Sequence, residues 1–100
     1  MNNFCLGNSE NLDFLKDAFK ILSEPNRIKI LCLLGKNNSM CVCEIIEKLN
    51  LKQNLISHHL WMFKRINLVK TERKWTKIYY KINTEIYNKL KEWVWTIFNF

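Results

Sequence analysis

The apolar residues of this 100-residue chain follow a helical period almost throughout and switch to strict alternation only once. Apolar side chains three and four residues apart predict five helices. Between the last two helices, Ile78, Tyr80 and Ile82 alternate with Lys77, Tyr79 and Lys81, which predicts a β-hairpin. The pattern therefore predicts a mainly α fold of the α+β type, with about five helices and a two-stranded hairpin. The length suits a single domain over residues 1–100, with residues 1–9 as a flexible arm.

Local signals place the ends of the second and third helices. Pro25 suits the first turn of the second helix, because its missing N–H has no partner there in any case, and Gly35 suits the position just past the end of that helix. Ser39 can cap the third helix, which we predict to run from Met40 to about Leu49.

Most of the net charge of +7 lies in one segment of the chain. From Lys48 to Lys81 there are nine lysines or arginines and one acidic residue, Glu72, whereas the rest of the chain is nearly neutral. A concentrated basic segment is typical of a surface that binds a polyanion, with nucleic acid the first candidate and an anionic membrane the second. No uncharged apolar run approaches the roughly 18 residues of a membrane span, and no signal peptide is recognisable. We therefore expect a cytoplasmic protein without membrane contact.

Three helices, a helix suited to reading DNA and a basic hairpin, in that order, describe a winged helix-turn-helix. The stretches SEPNRIKILCLL, MCVCEIIEKLNLKQNLISHHL and INLVKTERKWTKIYYKI are similar to the ArsR/SmtB family of metal-responsive repressors. The resemblance runs from about Leu15 to about Ile82 and continues in pattern through the last helix. It implies a homodimer joined through its terminal helices. Such a dimer binds an imperfect palindromic operator in double-stranded DNA and releases it when a metal ion binds.

The fourth helix, from Gln53 to about Ile66, is predicted to bury an apolar stripe and to present polar side chains to DNA. Amide, hydroxyl and imidazole groups can bind base edges, and lysine or arginine side chains can bind phosphates. The predicted base readers are Gln53, Asn54, Ser57 and His58. The predicted phosphate contacts are Lys52, Lys64, Arg65, Arg73, Lys74 and Lys77. Beside Leu60 on the buried side, His59 is expected to pack or to form a structural hydrogen bond.

Cys41 and Cys43 stand one residue apart at the predicted start of the third helix. Side chains at positions i and i+2 of a regular helix point about 200° apart, so both sulfurs should face one ion only if the helix is distorted. The helix N-terminus favours thiolates, the form that binds metal. Ion binding would then tilt or unwind the helix that supports the DNA-reading helix, and this would couple the ion to DNA affinity.

Two thiolates rarely complete a site, and the resemblance implies a third ligand from the N-terminal segment, where Cys5 lies. Cys32 is expected to be a buried, apolar type of cysteine. Sulfur ligands without histidine favour a soft inducing ion: arsenite or antimonite first, then cadmium or lead, with copper(I) also open. DNA binding itself requires no cofactor.

The family's second metal site falls on Thr84, Ile86, Ile97 and Phe100. None of these residues is a good ligand, so we predict no zinc site between the terminal helices.

Two further expectations concern the wing and the dimer. Family members usually carry glycine in the wing turn, whereas alignment on IYYKI places Trp75 there, which predicts a differently shaped tip. The last helix, from Thr84, carries so much apolar and aromatic surface that we expect it to pack against a second copy. The predicted interface residues are Leu15, Phe19, Leu90, Trp93, Val94 and Ile97.

Other interpretations remain open. The same fold could sense oxidants or reactive sulfur through its thiols. Because a disulfide between positions i and i+2 is expected to be strained, that sensor would use Cys5 or a bond between molecules. A constitutive winged-helix protein with structural cysteines is another alternative, and membrane-surface binding through the WVWTIFNF segment is a weaker one. We do not expect an enzyme, because Ser57 and His58 diverge on their helix and no third group orients them.

Overall fold

The computed structural model describes residues 9–99, with side chains from residue 10 onward. Within that range the chain forms five helices and a three-stranded antiparallel sheet, which confirms the predicted fold class and adds one strand. The elements are α1 (Ser9–Leu22), α2 (Pro25–Lys36), β1 (Met40–Cys41), α3 (Val42–Leu49), α4 (Gln53–Arg65), β2 (Val69–Lys74), β3 (Lys77–Ile82) and α5 (Thr84–Phe98). None of the helices in this range is long and apolar enough to cross a membrane.

The centre of the core is formed by six side chains with almost no solvent exposure, contributed by α2, α3, α4 and the segment before β2. They are Ile30, Ile45, Ile56, Leu60, Phe63 and Leu68. Burying each of them stabilises the fold by roughly 1.5–3 kcal/mol relative to an exposed position. Three of the six, Ile56, Leu60 and Phe63, form the predicted buried stripe of α4, so the polar side of this helix faces solvent.

Helix α2 starts where Pro25 predicts, but it does not end at Gly35. The predicted end is wrong because the helix continues to Lys36 and is capped by Asn37. The backbone N–H of Asn37 and its side-chain Nδ2 both donate to the Leu33 carbonyl, at 3.2 and 2.8 Å. An asparagine thus satisfies one of the last carbonyls of the helix, that of Leu33, at an end where glycine is common.

A tight turn joins α3 to α4. Asn50 adopts the left-handed conformation, with φ 54° and ψ 42°, and its N–H donates to the Ile46 carbonyl at 2.8 Å. Asparagine tolerates this conformation better than most residues. Only Leu51 and Lys52 then separate the turn from α4, so α3 and α4 form a helix-turn-helix.

The sheet has the order β1-β3-β2, with every neighbouring pair antiparallel. Strands β2 and β3 form the predicted hairpin, and β1 adds a third strand in which Met40 pairs with Tyr80 and Cys41 with Tyr79. The prediction that Met40 begins a helix is therefore wrong. Pairing with β3 holds these two residues extended, and the helix begins only at Val42.

Candidate DNA interface and thiol pair

One face of α4 carries the predicted base readers. Gln53, Asn54, Ser57 and His58 are all exposed and, together with Trp61, line one open groove. Their spacing follows the helical period, so they share the face opposite the buried stripe. In a helix-turn-helix the second helix presents such a face to the major groove. The structure therefore brings the four predicted readers together on a single surface.

Basic side chains flank this surface at both ends of α4. Lys52 is the N-cap residue, and Lys64 and Arg65 lie in the last turn; all three are exposed. Trp61 lies between the readers and this last turn. It is 54% exposed, and its ring contacts are with its own helix: the His58 ring stacks on it with centroids 6.2 Å apart, and the Arg65 guanidinium lies 5.2 Å from its centroid.

His59 lies on the buried side of α4 and contacts residues at the N-terminal end of α2. Its side chain is 4% exposed and lies with Nε2 3.5 Å from a Glu24 carboxylate oxygen, while Nδ1 accepts a hydrogen bond from Arg27 Nε at 3.0 Å. Because Nδ1 accepts, the neutral ring carries its proton on Nε2, toward Glu24. Burial first, and then the Arg27 guanidinium, lower the pKa of His59, against an opposing effect of Glu24. The expected structural hydrogen bond of His59 is confirmed.

The wing presents two lysine pairs on one face, on either side of the Glu72–Tyr79 pair. In the register of β2 and β3, Lys70 pairs with Lys81 and Lys74 pairs with Lys77, and all four are exposed. Directly paired residues share one face of a sheet, and like charges in that position repel each other. A polyanion bound to this face would relieve that repulsion. The fifth basic residue of the wing, Arg73, pairs with Ile78 and so lies on the other face.

The turn between β2 and β3 contains Trp75, as the alignment on IYYKI predicts. Trp75 has φ 60° and is 95% exposed, and its carbonyl accepts a hydrogen bond from Arg73 Nε at 3.5 Å. The left-handed conformation costs a side chain of this kind roughly 1–2 kcal/mol. The wing tip therefore projects an indole ring into solvent at a strained backbone position.

Cys41 and Cys43 meet at the start of α3. Cys41 is the N-cap residue, with φ −84° and ψ 166°, and Cys43 lies in the first turn. A disulfide joins the two sulfurs, and the Cα atoms are 5.4 Å apart. Cys41 is 3% exposed, whereas Cys43 is exposed. The pair therefore has one residue inside the domain and one at its surface.

This geometry overturns two predictions about the pair. The divergence of about 200° holds within a regular helix, but Cys41 is extended and only Cys43 is helical, so the sulfurs converge without distortion of α3. A mutual bond, which the sequence argument disfavoured, is the bond that the structure contains. The sequence held a signal of the true helix start. Glu44 accepts a hydrogen bond from the Cys41 N–H at 3.0 Å, and an acid three residues after the N-cap is typical of a capping box.

The other cysteines do not complete a site within residues 9–99. Cys5 lies outside the described residues. The prediction that Cys32 is buried is wrong: α2 buries Ile30 and Leu34, and Cys32, midway between them in sequence, is exposed on the opposite side. In the same range no three histidine, cysteine, aspartate or glutamate side chains are grouped to hold a metal ion.

The predicted dimer residues differ in their exposure. Leu15 and Leu90 are buried in the core of the protomer, whereas Phe19 is 44% exposed. The remaining three, Trp93, Val94 and Ile97, are half-buried. Helix α5 also leaves Trp95 and Phe98 about two-thirds exposed, beside an apolar groove between α2 and α5.

Residues 24–71, from the start of α2 into β2, match the family model described as "Bacterial regulatory protein, arsR family". An uncharacterised HTH-type transcriptional regulator of Methanocaldococcus jannaschii is 41% identical over 73 residues, which cover 73% of this chain and 82% of the relative. The chain belongs to the arsR family. Like its relatives, this ArsR-family protein is a DNA-binding transcriptional regulator and not an enzyme.

Two relatives of this ArsR-family protein are named for resistance to arsenicals or to cadmium. The arsenical resistance operon repressor of Bacillus subtilis is 34% identical over 82% of this chain and 78% of its own length. The cadmium resistance regulator CadC of Listeria innocua is 35% identical over 73% of this chain and 62% of its own length.

Solved structures show the same fold. An ArsR-like transcriptional regulator from Rhodococcus sp. RHA1 superposes with a TM-score of 0.78 at 23% identity, covering 88% of this chain and 82% of that one. Reduced HlyU from Vibrio cholerae superposes with a TM-score of 0.69 at 27% identity, covering 89% of this chain and 93% of that one.

Proposed function

We propose that this ArsR-family protein is a homodimeric cytoplasmic repressor that releases a palindromic operator when a thiophilic ion binds Cys41 and Cys43. The observation that carries the proposal is the meeting of their two sulfurs at the N-terminus of α3. Helix α3 leads through the Asn50 turn into α4, the proposed reading helix. Cys41 is paired with β3 of the wing. A change in the bonding of this pair therefore acts on the start of α3, which adjoins both α4 and the wing.

The chemistry of the pair suits a soft ion. A cellular dithiol that is itself oxidised to a disulfide supplies the two electrons and two protons that reduce the Cys41–Cys43 bond to two thiols. The positive end of the α3 dipole favours their thiolate forms. Cys43 is exposed and gives access, while Cys41 is held in the interior. Thiolate ligands select arsenite or antimonite first and then cadmium or lead. We propose Cys5, which lies outside the described residues, as the third thiolate, because the resemblance to the family implies a ligand from the N-terminal segment.

The relatives support this choice of inducer. The B. subtilis relative is an arsenical resistance operon repressor and the L. innocua relative is a cadmium resistance regulator. Arsenic and cadmium, the elements in these two names, both belong to the class that sulfur ligands favour, and neither demands a histidine-rich site.

For DNA binding, we propose that α4 reads bases and that the wing and helix ends bind phosphates. Gln53, Asn54, Ser57 and His58 carry amide, hydroxyl and imidazole groups on the one face free to enter the groove. The lysine face of the wing and the basic residues at the ends of α4 would neutralise phosphates on either side. Each such contact is expected to add about one unit to the slope of log affinity against log salt.

Titration of the reduced full chain tests the proposal directly. Arsenite or cadmium should give sulfur-to-metal charge-transfer absorption and, in parallel, should lower operator affinity measured by fluorescence anisotropy. A tenfold loss corresponds to about 1.4 kcal/mol of coupling. Double substitution of Cys41→Ser and Cys43→Ser should leave DNA binding intact and abolish the response, and Cys5→Ser should weaken ion binding. Cys32→Ser, which removes an exposed cysteine away from the pair, is the matched control. A double variant that still responds normally would place the sensor elsewhere.

The disulfide itself favours a second candidate signal, oxidation of the same pair. Two thiols that lose two protons and two electrons to a peroxide or a polysulfide form the Cys41–Cys43 bond that the structure contains. HlyU, which shares this fold, has been solved in a form described as reduced. The two signals are separated by measuring operator affinity of the reduced and disulfide forms without metal. A large difference, with no effect of arsenite or cadmium on the reduced form, would favour oxidation over ion binding.

A further inference from the structure

The central strand of the sheet places Tyr79 between the thiol pair and the tip of the wing. Tyr79 pairs with Cys41 on one side and with Glu72 on the other, so these three residues form one row across β1, β3 and β2. Directly paired residues point to the same face of a sheet, with Cβ atoms about 4.5–5.5 Å apart. The half-buried Tyr79 side chain therefore lies next to the sensor cysteine.

The same ring is in contact with a charged residue of the wing. Lys74 Nζ lies 5.3 Å from the centroid of the Tyr79 ring and 3.4 Å from a Glu72 carboxylate oxygen. Lys74 is one of the proposed phosphate contacts and belongs to the last residue pair before the wing turn. A cation over an aromatic face is attracted to it, so the position of the ring influences where the ammonium group lies.

We propose that Tyr79 is a positioning residue that transmits the bonding state of the thiol pair to the wing. The inference rests on the proposed function, because it describes how a change at Cys41 reaches DNA. Strand β1 consists of two residues only, and its second residue is both a strand residue and the N-cap of α3. Rearranging Cys41 to bind an ion therefore disturbs the pairing with Tyr79. The ring then shifts relative to Lys74, and the wing loses the lysine geometry that binds DNA.

A second route from the pair to DNA runs through α3 and the Asn50 turn to α4, and it does not involve Tyr79. The two routes make different predictions for the row of paired residues. If the wing route operates, removal of the ring should lower the operator affinity of the ion-free protein toward that of the ion-loaded protein, and should thereby reduce the coupling between ion and DNA. If only the helix route operates, the ring is dispensable.

The experiment compares full-length wild type with Tyr79→Thr, Tyr79→Phe and Ile78→Thr. Threonine keeps strand propensity but removes the ring; phenylalanine keeps the ring. Ile78 is an exposed neighbour on the opposite face of the same strand and is the matched control. The measured quantity is the ratio of operator affinities of the reduced ion-free and the cadmium- or arsenite-loaded protein. We expect Tyr79→Thr to reduce this ratio by about threefold or more, and Tyr79→Phe and Ile78→Thr to retain it.

The outcomes are distinguishable. If wild type responds and Tyr79→Thr responds equally, the role of Tyr79 is rejected while the proposed function stands. If wild type does not respond to either ion, the proposed function is rejected, and the role of Tyr79, which rests on it, is rejected with it. Should Tyr79→Thr fold poorly, amide hydrogen exchange on the wild type gives an independent measure. Faster exchange at Tyr79 and Tyr80 on ion binding supports the route, and unchanged exchange there overturns it.

Discussion

Arg27 of α2 donates its Nε–H to Nδ1 of His59 in the reading helix, at 3.0 Å. The same guanidinium donates to the Ile21 carbonyl at 3.2 Å, so one arginine joins the end of α1, the start of α2 and α4. His59 is buried, whereas its sequence neighbour His58 lies on the reading face. Together with the buried stripe of α4, this contact sets the rotation of the helix about its axis, and with it the set of side chains on its exposed face.

The buried state of His59 predicts that the protein loses stability on mild acidification. The folded protein lowers the pKa of His59 below its ordinary value of 6.5, chiefly through burial. The unfolded chain therefore binds a proton at His59 more readily than the folded protein does. The contribution of neutral His59 to the free energy of unfolding is complete above about pH 6.5 and is lost as pH falls through the folded-state pKa. Urea unfolding of wild type and His59→Gln at about pH 7.5 and about pH 5.5 measures the effect.

The glutamine variant should be less stable than wild type at the higher pH and should lose less stability between the two. Glutamine keeps a hydrogen-bonding side chain at the site but does not titrate, which makes it a suitable reference. Equal losses in the two proteins would show that other groups, and not His59, carry the acid sensitivity.

Helix α4 is predictable from the sequence because its signals are local. The geometry of the thiol pair is not predictable, since its cause lies far away in the sequence. The spacing of Ile56, Leu60 and Phe63 alone identifies the buried side of α4, and the start at Gln53 agrees with the structure. Strand β1 exists only because Met40 and Cys41 pair with residues 38 or more positions later. The spacing of apolar residues along a helix carries no information about the pairing of β1 with β3. The burial of His59 was equally visible from its place beside Leu60, but its partner Arg27 lies 32 residues away.

Glu44 is predicted to stabilise the start of α3. Its carboxylate accepts from the Cys41 N–H at 3.0 Å and lies in the first turn, near the positive end of the helix dipole. Glu44→Ala should lower the free energy of unfolding by about 1 kcal/mol, measured by urea denaturation of the reduced protein. Glu44→Gln keeps an acceptor and should recover part of the loss. Glu47→Ala, at another exposed position of α3, serves as the control. A loss no larger for Glu44→Ala than for Glu47→Ala would contradict the capping role.

Base readers and phosphate contacts should differ in how their removal affects binding. Gln53→Ala is expected to weaken discrimination at one operator position by about 1–3 kcal/mol, since the amide can no longer pair with a base. Lys64→Gln should weaken binding to all sequences alike and reduce the salt slope by about one. Anisotropy titrations on the operator and on single-base variants, at several salt concentrations, provide both quantities. Lys89→Gln, on α5, should change neither. A uniform effect of Gln53→Ala across all operator variants would count against base readout.

The exposed aromatic residues of α5 are predicted to form the dimer interface. Trp95 and Phe98 are 66% and 67% exposed and adjoin an apolar groove whose lining includes Leu31 and Val94. A two-fold dimer through this surface would present two reading helices to a palindrome. Trp95→Glu should therefore give a folded monomer, because the side chain contributes little to the core of the protomer.

Sedimentation velocity and operator titration of Trp95→Glu test this interface together. Loss of the second half-site should reduce operator affinity by at least about tenfold, since the two domains no longer bind as one unit. Asn88→Glu, which places the same charge at another exposed position of α5, should remain dimeric and bind normally. If Trp95→Glu sediments as a dimer and binds the operator like wild type, the protomers must join through a different surface, and the exposed rings of α5 then require another explanation.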